Sequence, residues 1–312
     1  MNKTDRILVT GSSGFLGTAV IRKLKEHGFY DCIGFGSNLY DLTKYNETEK
    51  CLSLWEPKAI IHLAAKVGGI GANKSNPGKF AYDNLIMGTN IIECARVHNI
   101  EKMIIAGTIC AYPKMTPIPF QEKDLWNGYP EETNAPYGLA KKMLLVLAQG
   151  YRQQYGCNFS YLLPVNLYGP NDNFNLETSH VIPAMIRKFH EAKQNGMPHV
   201  TLWGDGTPTR EFLYVDDCAE AFVMALEKYN DPEPMNIGSG AEISMKDLSA
   251  HIKEVVGYSG EIIWDSTRPN GQPRRCLDTT RAKEKIDWVS KTTLQEGLKK
   301  TYNWFLDSGA TK

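Results

Sequence analysis

The chain has 312 residues, enough to bury a full core in one large domain or two intimate ones. Its 35 lysines and arginines balance 35 aspartates and glutamates, so nothing in the bulk charge favours a nucleic acid or an anionic membrane surface as partner. Seven scattered cysteines without CxxC spacing argue against a disulfide framework or a metal site. Their number and the lack of any apolar run near about 18 residues fit a cytoplasmic protein without a membrane span.

Met1 to Arg6 leads directly into the apolar run Ile7 to Thr10, a strand, with no room for a signal peptide. Thr10-Gly11-Ser12-Ser13-Gly14-Phe15-Leu16-Gly17 then opens an amphipathic helix over Gly14 to Lys25. Strand, glycine turn and helix form the context of a dinucleotide site, where the backbone approaches a pyrophosphate at the positive end of a helix. The alternation continues with a strand at Cys32 to Phe35 and a helix at Glu47 to Leu54. A buried strand at Ala59 to Leu63 and a long helix at Phe80 to Val97 come next. Met103 to Ala106 reads as a strand, Tyr137 to Gln154 as a long helix and Phe159 to Leu163 as a further strand. Such βαβ alternation implies an α/β fold with a Rossmann-type doubly wound parallel sheet, whose ligands bind beyond the carboxyl ends of the strands. Gly11, the segment after Leu63, Thr108 and Pro164 all lie just past such ends.

After Pro170 the pattern changes. A polar loop at Asn171 to Asn175 precedes a helix at Val181 to Gln194, a strand at Val200 to Trp203 and a turn at Gly204 to Gly206. Phe212 to Val215 reads as a strand and Ala219 to Lys228 as a helix. The expected organisation is a dinucleotide-binding domain over 1–170, completed by 211–243. A smaller interleaved α/β substrate-binding cap is built from 171–210 and 244–312.

Tyr137 and Lys141 are four residues apart, so both project from one helical face. A lysine beside a phenol favours the phenolate, and the pair is suited to passing a proton to or from a sugar oxygen. Beside a dinucleotide site, that implies hydride chemistry on a carbonyl or alcohol. Gly34-Phe35-Gly36-Ser37-Asn38, where a ribose carboxylate or a phosphate-binding base would stand, carries neither, so these residues leave NAD and NADP both open.

Taken together, the glycine turn, the Tyr137–Lys141 pair and the length resemble the extended short-chain dehydrogenase/reductase family. Lys66 to Ile70 with Ala72-Asn73, Cys110 to Pro113, Pro164 to Pro170, Asp172 to Phe174, Ser179 to Val181, Trp203 to Gly206 and Arg210 to Asp217 sharpen the likeness. These stretches resemble the branch of the family that epimerises and reduces GDP-4-keto-6-deoxymannose. That resemblance implies Cys110 as base and His180 as the opposing acid in inversion at carbons 3 and 5. It implies Thr108, Tyr137 and Lys141 for reduction at carbon 4. Taken alone, Cys110 reads as a small buried hydrophobe and His180 as a hydrogen-bonded loop residue. The resemblance favours NADPH, lined by Gly11, Ser13, Gly14, Phe15, Leu16, Gly17, Ser37, Asn38, Asp41, Leu42, Leu63, Ala64, Ala65, Tyr137, Lys141, Pro164, Asn166, Leu167 and His180. Asp41 reads equally well as a helix-start carboxylate. For the GDP-linked 4-keto sugar the resemblance points to Asn166, Lys188, Trp203, Arg210 and Arg275. It implies a homodimer through the helices at Phe80–Val97 and Tyr137–Gln154. Thr108, Ile109 and Ala111 depart from the residues usual around the cysteine, which leaves a related GDP-4-keto heptose or colitose precursor in play. An NAD-retaining nucleotide-sugar 4-epimerase and a non-catalytic dinucleotide-binding module are the other readings.

Overall fold

The computed structural model describes residues 1–268 and 270–309. The first half runs β1 (Ile7–Thr10), α1 (Phe15–Glu26), β2 (Cys32–Phe35), α2 (Tyr45–Trp55), β3 (Ala59–His62), α3 (Ile70–Ser75), α4 (Pro77–Val97), β4 (Lys102–Ala106), α5 (Ala135–Tyr155) and β5 (Phe159–Pro164). The second half adds β6 (Asn166–Tyr168), α6 (Val181–Gln194), β7 (His199–Trp203), β8 (Thr209–Tyr214), α7 (Val215–Lys228), β9 (Met235–Ile237), β10 (Glu242–Ser244), α8 (Met245–Val256), β11 (Glu261–Asp265), α9 (Thr280–Ile286) and α10 (Leu294–Ser308).

Strands β1, β3 and β4 are buried at every position, as continuous apolar runs covered on both faces must be. They form the middle of a six-stranded parallel sheet of order β2-β1-β3-β4-β5-β9. The chain winds outward from β1 to β2, then returns to the other side of β1 for β3. That reversal makes the carboxyl ends of β1 and β3 the switch point, where a crevice opens. Helix α1 packs on α7, and α2 packs on α4, which packs on α5. Leu144 of α5 fits against Gly88 of α4, where an added Cβ would come within 2.5 Å of its methyl group.

A second core gathers Phe174, Ile186 and Phe189 with Leu202, Leu248, Ile252, Leu298 and Phe305. It joins α6, α8 and α10 to β7, with two small sheets, β10-β8-β6 and β11-β7, beside it. Leu277, Ala282, Ile286 and Trp288 fall within the C-terminal stretch assigned to the cap from sequence, yet they pack in the first core.

Several elements start or exist where the sequence pattern did not indicate. Helix α7 begins at Val215, directly after β8, instead of at Ala219. Asp216 and Asp217 occupy its first turn, where carboxylates favour the positive helix end. Helix α3 and the three-residue strands β6 and β9 are additions too short to show a period. No helix among the described residues is long and apolar enough to cross a membrane.

Candidate active site

The turn after β1 is built on contacts only glycine permits. Gly11 has φ +70°, and a Cβ there would come within 2.9 Å of the Ala64 nitrogen. The exit of β1 therefore lies directly against the exit of β3. Thr10 Oγ1 accepts from Leu63 N and Ala64 N, each at 3.2 Å, and lies 2.8 Å from His62 Nδ1. With both N–H groups donating to the hydroxyl, its own proton goes to Nδ1, which assigns the Nε2–H tautomer to His62. Burial, reinforced by the charge of Lys141, pushes His62 down to about 3, so it is neutral.

Beside this turn an open cleft of about 320 Å³ is lined by Ser12, Ser13, Thr18, Ile21, Cys32 and Gly34. Gly14 caps α1, with half-buried Phe15 and Leu16 following it, and Ser37 and Asn38 are exposed after β2. Asp41 closes its own turn. Its carboxylate accepts from Thr43 Oγ1 at 2.7 Å and Thr43 N at 3.0 Å, and these bonds hold its pKa low. It acts as the turn-forming carboxylate before α2, while Leu42 is buried and its carbonyl takes the Asn90 amide at 2.8 Å. The glycine turn and the adjoining cleft fit a dinucleotide: backbone N–H groups at a helix start, close to a strand exit, with no side chain in the way.

The second group of residues converges past the end of β4. Thr108 Oγ1 accepts from Cys110 N at 3.2 Å and pairs with the Tyr137 hydroxyl. Tyr137 also faces Cys110. Gly138, the next residue of α5, lets that helix press onto the Cys110 carbonyl; a Cβ there would come within 2.9 Å of its carbon. Lys141 is one turn further along, 1% exposed, and burial pushes it down to about 8. Tyr161 of β5 donates to the Lys141 carbonyl at 2.6 Å and fixes that turn against the sheet. The expected lowering of the Tyr137 phenol by Lys141 is not realised here. Burial raises the phenol well above its ordinary range, so Tyr137 is a neutral proton donor.

Two guanidinium groups border this cluster. Arg275 Nη1 lies 3.9 Å from Cys110 Sγ. Arg210 Nη1 donates to the carbonyls of Thr209 at 2.7 Å and Pro273 at 3.4 Å. Burial, then the charge of Arg275, pushes Arg210 down to about 10.

His180 is the N-cap residue of α6 and is exposed, while desolvation by surrounding protein lowers its imidazole. Its loop is docked on the segment after β3: Gly69 N donates to Thr178 O at 3.1 Å, and a Cβ on Gly69 would come within 2.7 Å of Ser179 O. Among the described residues no hydrogen bond links His180 to Cys110 or Tyr137. Lys188 lies two turns along α6 with Nζ 3.5 Å from Thr201 O, and burial lowers it. Trp203 is 64% exposed, with the Arg268 guanidinium 5.2 Å above its ring. Asn166 spends an amide proton on Glu211 O at 3.1 Å. Ala64 and Ala65 follow β3, Pro164 ends β5 and Leu167 lies within β6, and all four are half-buried. No group of His, Cys, Asp and Glu among the described residues is arranged to hold a metal.

Four residues of this region were not singled out in the sequence. A histidine inside the apolar run Ala59 to Leu63 was a usable signal for His62. Thr10 opens the glycine turn and Glu211 lies in the Arg210 to Asp217 stretch, but their contacts with Leu63, Ala64 and Asn166 join residues distant in sequence, as does that of Gln272 with the Lys114 carbonyl.

Residues 7–238 match the model of the NAD dependent epimerase/dehydratase family. The chain belongs to this family. A GDP-L-fucose synthase of Sinorhizobium fredii is 45% identical over 307 residues, covering 98% of this chain and 96% of that protein. A solved GDP-6-OMe-4-keto-L-xylo-heptose reductase from C. jejuni superposes with a TM-score of 0.94 at 26% identity, covering 99% of both chains. A GDP-L-fucose synthetase from Naegleria fowleri, solved bound to NADP, gives a TM-score of 0.91 at 29% identity over 99% of this chain and 96% of that one. The likeness to extended short-chain dehydrogenase/reductases, and to their GDP-sugar branch, therefore holds over the full length.

Proposed function

We propose that this enzyme inverts carbons 3 and 5 of GDP-4-keto-6-deoxy-D-mannose and reduces carbon 4 with NADPH, yielding GDP-L-fucose. The observation that carries the reading is the convergence of Thr108, Cys110, Tyr137 and Lys141 past the end of β4. The full-length relationship to a GDP-L-fucose synthase supports the same substrate.

Carbons 3 and 5 of a 4-keto sugar are acidic because the carbanion delocalises into the keto oxygen. Cys110 removes the proton as a thiolate, and His180 returns one to the opposite face. The hydroxyls of Thr108 and Tyr137 donate to the keto oxygen and stabilise its developing charge. When bound, NADPH supplies the hydride for carbon 4. Tyr137, kept protonated by burial, gives its proton to the carbon-4 oxygen. Lys141, charged below about pH 8, holds the nicotinamide ribose and stabilises the phenolate left behind. Gly11, Gly14 and Gly17 cradle the pyrophosphate. Ser37 and Asn38, exposed where no carboxylate stands, donate to the 2′-phosphate. The NADP-bound relative supports this cofactor. Arg210, Arg275 and Lys188 meet the GDP diphosphate, and Trp203 packs on guanine.

Residues 1–170 with 211–243 serve as the dinucleotide-binding part, and 171–210 with 244–312 as the substrate cap, except that Leu277, Ala282, Ile286 and Trp288 pack with the dinucleotide-binding part. The enzyme works in the cytoplasm as a homodimer. Support for the dimer comes from Tyr82, Leu85, Met143 and Val146, which leave apolar surface exposed on α4 and α5. Leu85→Glu with Val146→Glu is expected to halve the mass measured by light scattering; an unchanged mass rejects this face as the contact.

The decisive assay supplies the keto sugar and NADPH in deuterated water. Cofactor consumption, an L-sugar product by NMR, and deuterium at carbons 3 and 5 are expected; absence of all three rejects the reading. A second reading, C4 reduction of a GDP-4-keto heptose, is favoured by the close superposition on the heptose reductase and by the substitutions around Cys110. It predicts turnover of the heptose without deuterium at carbons 3 and 5.

A further inference from the structure

Cys110 shares its surroundings with an arginine that has no ion-pair partner among the described residues. Arg275 Nη1 is 3.9 Å from the sulfur, and its Nε donates to Gln272 Oε1 at 2.6 Å. Gln272 is buried and donates from Nε2 to the Lys114 carbonyl at 2.6 Å, four residues beyond the cysteine. A neutral amide, pinned to the backbone, therefore braces the guanidinium toward the thiol.

The other charged and titratable groups facing this pair leave that field standing. Glu131 is an ionised carboxylate that acts on Arg275 through space and moderates its field, while its Oε2 accepts from Thr133 Oγ1 at 2.6 Å and Asn134 Nδ2 at 2.8 Å. Arg210 is a second cation and, among the described residues, bonds the backbone carbonyls of Thr209 and Pro273. Tyr137 is held neutral by burial. Among the described residues no ion pair engages Arg275 or Arg210.

We propose that Arg275 positions the Cys110 sulfur and stabilises negative charge on it, and is thereby the activating residue for proton removal. This rests on the epimerase reading given above and assigns Arg275 a task besides contact with the diphosphate. In the step it serves, the C–H bond beside the ketone breaks, an S–H bond forms, and the electron pair passes into the enolate. His180 then donates its proton to the opposite face of that carbon, and both groups re-equilibrate with water. An opposite charge within about 4–6 Å favours the ionised form by roughly ten- to a thousandfold, and only the thiolate is a competent base or nucleophile.

The test uses the full-length enzyme without substrate. Iodoacetamide labelling of Cys110, followed by peptide mass spectrometry across pH 6–10, reads the thiolate directly. Arg275→Met is expected to slow labelling at pH 7 about tenfold or more and to move the rate profile to higher pH. Arg275→Lys should restore most of the labelling rate. Wild-type labelling in Arg275→Met overturns the assignment. If Arg275→Met does not fold, Gln272→Leu frees the brace; a wild-type rate there also overturns it. If wild type incorporates no deuterium at carbons 3 and 5 while labelling still depends on Arg275, the epimerase reading fails and the Arg275–Cys110 assignment stands.

Discussion

Gly17→Ala tests the cofactor cradle through geometry alone. A Cβ at this position would lie 2.6 Å from Ser12 Cα and 2.8 Å from the Gly11 carbonyl carbon, and closer still to its oxygen. All three are backbone atoms of the turn itself. Ordinary contact begins at 3.4 Å, so the start of α1 must retreat by at least 0.8 Å from Ser12. A helix-start N–H bond to phosphate does not survive a displacement of that size. Losing one or two charge-assisted bonds at about 1.5–3 kcal/mol each raises the NADPH dissociation constant roughly 10- to 100-fold or more. Overpacking adds about 1–3 kcal/mol of destabilisation. Gly14→Ala is the internal control, since its Cβ would sit 3.2 Å from Gly11 O and needs a shift of only a few tenths of an ångström. Fluorescence titration with NADPH and a thermal melt measure both effects. If Gly17→Ala binds NADPH within threefold of wild type and melts at the same temperature, the turn does not hold the pyrophosphate.

Tyr137→Phe removes the buried proton donor and should lower the reduction rate about 10²- to 10⁴-fold while NADPH affinity stays within threefold; a rate loss under fivefold places the donor elsewhere. Because burial brings Lys141 down to about 8, its ammonium is present below that pH and lost above it, so reduction should decline as pH rises through 8. A rate flat from pH 7 to 9.5 in initial-velocity assays contradicts this. Asp172 is buried and pushed up to about 7, so its carboxyl is neutral in the folded state at pH values where the unfolded chain is ionised. Stability should therefore fall as pH rises from about 4 to about 7, by at most ~4 kcal/mol. Asp172→Asn should flatten that slope in urea titrations, and an unchanged slope assigns the effect to another group.

What was legible in the sequence was local. The run Ile7 to Thr10 and the glycines after it mark a strand, a turn and a helix within about 20 residues, and the four-residue spacing of Tyr137 and Lys141 places both on one face of α5. Elements of three residues, such as β6, β9 and β10, carry no period at all. Nor does spacing predict the acidity of a group once burial competes with a neighbouring charge: Tyr137 is raised although Lys141 is one turn away. Asp41 shows the same limit, because a carboxylate near an adenine and one closing its own turn on Thr43 look identical in sequence. Arg275 and Cys110 are 165 residues apart, and only the folded chain brings them together.

The segment that carries Arg275 explains how so much unpaired positive charge is tolerated beside the thiol. Phe120 N donates to Cys276 O at 2.8 Å and Asp278 N donates to Phe120 O at 2.9 Å, tying this segment to the loop that follows the cysteine. Asn236 donates to Phe120 O at 2.9 Å and Asp278 O at 3.0 Å, and accepts from the Tyr112 hydroxyl at 2.7 Å. Glu211, fully buried in β8, accepts from Gly240 N and Leu277 N, each at 2.7 Å. That carboxylate immediately follows Arg210 in the chain, but its oxygens are spent on backbone donors and not on the guanidinium. Neither guanidinium has an ion-pair partner among the described residues, while carbonyls, an amide and the Glu211 carboxylate fix the backbone around them. Electrostatic stabilisation of an enolate needs donors and charges that do not reorganise during the reaction. A network of this kind supplies that rigidity, with the Glu211 carboxylate held on backbone donors and not on a guanidinium.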